Sequence, residues 1–108
     1  MQVIDHEPSA WFLFSEDDQL FLDVSCNNGP VGYSVLIPLD ANEHAKFQAG
    51  GHEYVDQLAN RIRESAPLVR GSMSVYSERD VSRLRGEHVL TAVSEWRKTR
   101  AAPAPDQG

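Results

Sequence analysis

Bases are almost absent from the first half of this chain. Between Met1 and Asp56 there are ten acids and a single base, Lys46, whereas Gln57 to Gly108 holds six acids and nine bases. The net charge of −6 is therefore an average over one strongly acidic half and one mildly basic half. Phosphate neutralisation needs clustered Lys and Arg, so no nucleic-acid partner is expected. Cysteine is nearly absent as well: Cys26 stands alone and cannot form an internal disulfide. No apolar run approaches the roughly 18 residues of a membrane span. Asp5, His6, Glu7 and Pro8 leave no room for a secretory apolar region near the start. The expectation is a cytoplasmic protein with no membrane partner.

Catalytic and cofactor signatures are also missing. No serine lies in a G-x-S-x-G elbow. Gly29-Pro30-Val31-Gly32 and Gly50-Gly51 lack the Lys-Ser/Thr of a phosphate loop. Glu16-Asp17-Asp18 lacks the ligand spacing of a calcium loop. His44 and His52 stand eight apart across a Gly-Gly break, which is not a zinc-helix spacing. Cys26 has Ser25, Asn27 and Asn28 as neighbours and nothing basic to stabilise a thiolate, so it reads as a packed core thiol. No cofactor, metal ligand or catalytic residue is assigned.

What is present is alternation. Trp11 to Phe14 suits a strand, and Glu16-Asp17-Asp18 a turn. From Gln19 to Cys26 the period is two, with Leu20, Leu22, Val24 and Cys26 facing one way and Phe21, Asp23 and Ser25 the other. After the turn signal Asn27-Asn28-Gly29-Pro30, Val31 to Leu39 alternates again. Pro8 breaks any element in the first ten residues, and Met73 to Tyr76 is a possible fourth strand. Asp40 and Glu43 form a capping box for a short helix that Gly50-Gly51 ends. A second helix follows from His52 to Ser65, with Val55, Leu58, Ala59, Ile62 and Ala66 as its apolar stripe. Ser77 and Asp80 start a last helix, whose expected inner face is Val81, Leu84, His88, Ala92 and Trp96. Gly86 is a potential bend in it.

These elements predict an α+β fold: a three- to four-stranded antiparallel meander followed by two to three helices packed on one face. A single domain is expected over residues 1–100, with a disordered tail over 101–108. Trp11, Phe12, Phe14, Phe21 and Tyr33 are more aromatic surface than one sheet face needs. Either another element covers the second face, or that face is an interface.

The runs W-F-L-F-x4-Q-L-F-L-D-V-S-C, Y-S-V-L-I-P-L-D and G-H-E-Y-V-D-Q-L-A-N-R-I, over residues 11–66, resemble small stand-alone bacterial α+β proteins of the toxin-immunity type. The resemblance lies in layout, size and acidity; the basic second half departs from a uniformly acidic inhibitor. It implies a non-enzymatic protein that occludes a basic toxin domain. On that reading Glu16, Asp17, Asp18, Glu43 and Asp56 supply acidic contacts. Trp11, Phe12, Phe14 or Tyr33 supply aromatic anchors where they are exposed. Two alternatives stand beside it: a homodimeric regulatory or adaptor domain using a sheet face, and a small enzyme using His44 or His52 with a neighbouring carboxylate.

Overall fold

The structure, a computed structural model, describes residues 1–28, 31–65, 67 and 74–101. Four strands make one antiparallel sheet in chain order: β1 (Gln2–Glu7), β2 (Trp11–Glu16), β3 (Gln19–Asn28) and β4 (Val31–Pro38). Helix α1 (Ala41–Glu64), a 3-10 turn at Ser77–Arg79 and helix α2 (Ser82–Ala101) follow. The expected α+β meander is therefore the architecture.

The fourth strand is not where it was expected. It is the N-terminal β1, which Pro8 terminates rather than prevents. Ser74, Val75 and Tyr76 form no strand, and Met73 lies outside the described residues, as do Gly29 and Pro30 of the expected turn. The expected tail lies outside them too, except Ala101, which ends α2.

The helices do not share one face. Trp11, Leu13, Leu20, Leu22, Val24, Cys26, Val35 and Ile37 meet Val55, Leu58, Ala59 and Ile62 of α1 on one side of the sheet. Phe14, Phe21 and Leu36 meet Ala92, Val81, Val89 and Val93 on the other. The cause lies in the strands: β2 is apolar on both alternating sets, with Trp11 and Leu13 on one side and Phe12 and Phe14 on the other, and Phe21 of β3 and Leu36 of β4 extend the second side. A sheet with two apolar faces needs cover on both, and each large side chain so buried is worth about 1.5–3 kcal/mol.

Helix α1 begins with the expected capping box. The Asp40 carboxylate accepts from the Glu43 N–H at 2.8 Å, and Glu43 accepts from the Asp40 N–H at 2.9 Å. Gly51 interrupts the helix at φ 62° and ψ −144°, a backbone that only glycine adopts without strain. The segment beyond this kink carries the stripe from Val55 to Ile62 that seals the first core.

Helix α2 is rotated from its expected setting. Val81, Val89, Ala92 and Val93 pack inward, and Trp96 sets its edge against Phe12 with ring centroids 5.2 Å apart. Leu84 is 80 % exposed, and His88 is half exposed. The inner face thus follows 85, 89, 92, 93 and 96 rather than 84, 88, 92 and 96. The helix runs unbroken through Gly86.

Candidate functional site

The β2–β3 hairpin closes with Glu16 opposite Gln19, leaving Asp17 and Asp18 as its two turn residues. Both have positive φ, 49° and 68°. Such a turn favours Asn-Gly, Asp-Gly or Gly-Gly, because both central residues are left-handed, so Asp17 conforms and Asp18 stands where glycine is usual. This chain places two exposed carboxylates there. Beside them a shallow depression is lined by Asp17, Phe21, Pro38, Val81 and Leu84, with Arg85 at its rim.

The neighbouring acid, Glu16, is committed internally. Arg85 Nη1 donates to Glu16 Oε1 at 2.7 Å, while His88 Nδ1 at 3.2 Å and the Met1 ammonium at 3.4 Å meet Oε2. Burial alone would raise this carboxyl, but the ammonium, His88 and Arg85 outweigh it and hold the group below its usual range. Glu43 is committed too. Its buried carboxylate receives both Nη atoms of Arg79, and Nη2 of the same guanidinium donates to the Pro38 carbonyl at 2.8 Å. Part of the charge split along the chain is thus intramolecular pairing, with bases of the second half seated on acids of the first.

A third cluster joins β1 to α1. A bulge between Val3 and Asp5 leaves Ile4 as the extra residue of β1. Asp5 then pairs with Leu13 and Glu7 with Trp11, so both acids lie on the α1 side of the sheet. There His52 bridges them. Its Nδ1 is 3.1 and 3.0 Å from the two Asp5 oxygens, and its Nε2 is 2.9 Å from Glu7 Oε1. Only the imidazolium donates from both nitrogens, so the hydrogen bonds to Asp5 and then Glu7 raise the His52 pKa. The ring also lies 4.9 Å from that of Trp11, whose Nε1 donates to Asp56 Oδ1 at 3.1 Å. Both nitrogens of His52 are held by separate carboxylates. Among the described residues no three His, Cys, Asp or Glu side chains converge as metal ligands.

The fourth feature is a groove of about 440 Å³ between α2 and the β3–β4 face. Asp23, Ser34 and Leu36 form its floor, and Gly86, Val89 and Leu90 its helical wall. Desolvation pushes the Asp23 carboxyl up to about 6, with the nearby Asp80 adding to the rise and a hydrogen bond with Ser34 opposing it. Among the described residues Asp23 has no ion pair.

The residues singled out from sequence are therefore scattered in role. Trp11 and Phe14 are fully buried, one in each core, and are not surface anchors. Phe12 is half-buried between His6, Phe14 and Trp96. Tyr33 donates its hydroxyl to the Pro67 carbonyl at 2.6 Å. Glu16, Glu43 and Asp56 have internal partners; Asp17 and Asp18 remain turned outward. Cys26 is a buried free thiol whose pKa burial raises. Among the described residues the His44 ring has no hydrogen bond or ion pair, its backbone N–H donating to the Asp40 carbonyl at 2.9 Å, while His52 has the carboxylate and ring contacts just described.

Sequence reading missed Leu84, because the helix was set about one residue out of phase. It also missed Asp23, although an acid between Phe21 and a face of large aromatics was itself a signal. No helix among the described residues is long and apolar enough to cross a membrane. Comparison with family models, curated proteins and solved structures finds no significant match for this chain.

Proposed function

We propose that this chain is a non-enzymatic protein-binding domain that captures a basic protein partner, in the manner of a cytoplasmic immunity protein occluding a bacterial toxin domain. The observation that carries the reading is the juxtaposition of Asp17 and Asp18 with Leu84. Two exposed carboxylates form the turn, Asp18 at a left-handed position where glycine is cheaper and Asp17 sharing a depression with a leucine that is 80 % exposed. Strain of this kind persists where the surrounding structure or function requires it. An apolar anchor with an acidic rim suits a basic surface: burial supplies affinity, and the carboxylates supply steering and choice of partner.

The assignment of the acidic contacts to these two residues is supported by their exposure and by the absence of an ion pair to either among the described residues. Glu16 and Glu43 are better left untouched in any test, because neutralising them releases Arg85 or Arg79. The direct test is binding of the protein encoded by an adjacent gene, measured across ionic strength. Asp17→Asn with Asp18→Asn is expected to weaken binding and flatten its salt dependence. Unchanged affinity and slope in that double variant would rule out the hairpin as the contact.

A further inference from the structure

Two residues that cost stability line the same groove. Asp23 is a largely desolvated carboxylate whose charge no cation among the described residues neutralises. Gly86 sits inside a helix, where it costs about 1 kcal/mol relative to alanine, yet a Cβ there would meet nothing within 4 Å. Packing therefore does not demand this glycine; what its missing side chain does is keep the groove wide. One turn further along the same helical wall is Leu90, 72 % exposed. Leu90 also borders the next depression along α2, lined by Val93, Ser94 and Arg97, and the groove itself is open to solvent.

We propose that the groove between α2 and the β3–β4 face receives one lysine or arginine side chain of a protein partner, its aliphatic stem against Leu36, Val89 and Leu90 and its cation on Asp23. Charge and shape both select this occupant. The walls are mostly apolar, while the floor carries one carboxylate. Long cationic side chains combine an apolar stem with a charged end. The other charges around Asp23 are Asp80 at the start of α2 and Arg83 and Glu87 on α2 itself. One guanidinium thus faces three carboxylates, which leaves the groove short of positive charge. A groove open to solvent admits a side chain protruding from another protein's surface, which an enclosed cavity would not.

This inference rests on the protein-binding reading, but the groove can be probed without any partner. The probes are n-butylguanidinium and its neutral analogue n-butylurea, added to the full chain at pH 7.5. The readouts are the methyl resonances of Leu36, Val89 and Leu90 and the Asp23 carboxyl carbon. Butylguanidinium is expected to give saturable shifts at all four, to bind about tenfold more tightly than butylurea, and to lower the Asp23 titration midpoint by about one unit. Asp23→Asn should remove the preference for the cation. Gly86→Gln should narrow the groove and weaken both probes while leaving the Asp23 carboxyl in place.

Equal response to the two probes, or shifts confined to Asp17 and Asp18, would overturn the groove as a cation site even if a protein partner were captured elsewhere. Probe binding in a protein that captures no partner would instead overturn the protein source of the side chain, and with it the protein-binding reading, while the chemistry of the groove stands.

Discussion

Arg79 grips Glu43 with both ends of its guanidinium and holds the Pro38 carbonyl as well, so one side chain ties the 3-10 turn to the end of β4 and the first turn of α1. Glu43 is 8 % exposed. Removing one partner of such a pair leaves a poorly solvated charge behind. Arg79→Met is therefore expected to destabilise the fold by about 2–4 kcal/mol. The Arg79→Met/Glu43→Leu double variant should lose less than the sum of the single variants, although it also removes the Asp40–Glu43 cap. Urea unfolding at pH 7 measures all three; additivity would show that the two residues are not coupled.

Asp23 is expected to act against stability. Its folded pKa of about 6 lies above the ordinary 3.8. Ionising it in the folded protein therefore costs free energy. The cost is absent below the unfolded value, grows between about 4 and 6, and is complete above 6, reaching up to about 3 kcal/mol. Asp23→Asn should accordingly stabilise the protein at pH 8 and make little difference at pH 3.5. Stabilisation that is the same at both pH values would contradict the assigned titration.

His52 has the opposite sign. Asp5 and Glu7 raise its pKa in the folded state, so its contribution is full below about 6.5 and disappears as pH rises through the folded value. The ring is 46 % exposed, and solvent screening holds the effect below about 1 kcal/mol. His52→Gln should cost stability at pH 5.5 and be nearly neutral at pH 9. In proton-resonance titrations Glu7→Gln should lower the His52 midpoint; an unmoved midpoint would remove the bridge.

Two glycines and one aspartate separate backbone geometry from packing. Gly86→Ala is expected to stabilise α2 by about 0.5–1 kcal/mol, since helix propensity improves and the new methyl meets open space. Gly51→Ala should destabilise by about 1 kcal/mol, because φ 62° is left-handed. Asp18→Gly should stabilise the hairpin by a few tenths to about 1 kcal/mol while weakening partner capture. Thermal unfolding of the three variants gives the signs directly, and a destabilising Asp18→Gly would show that the turn carries no strain.

Strand alternation and helix capping were legible in the sequence because each is set by neighbours. Leu20, Leu22 and Val24 declared one face of β3 by period two, and Asp40 and Glu43 declared the start of α1 by their spacing. The Gly51 break was legible for the same reason. What was not legible depended on partners distant in sequence. β1 looked patternless because its bulge at Ile4 breaks the alternation. The face that α2 covers could not be assigned from the helix alone, since Leu84 and Val89 are equally apolar and only Phe14, Phe21 and Leu36 decide which turns inward. The acids of the first half looked uncompensated because Arg79, Arg85 and His52 reach them only after folding. Of the six acids from Val3 to Leu39, Asp17, Asp18 and Asp23 are the ones left without an opposite charge among the described residues.

The central claim is that an acidic turn beside an exposed leucine captures a basic protein. The most direct measurement compares the untagged wild-type protein with the Asp17→Asn/Asp18→Asn/Leu84→Ser variant in capture from the cell's own extract at low and moderate salt. The expected result is one basic protein retained by the wild type at low salt, reduced at moderate salt and lost in the triple variant, whose fold is intact by circular dichroism. Retention of the same proteins by the wild type and the variant at both salt concentrations would contradict the account.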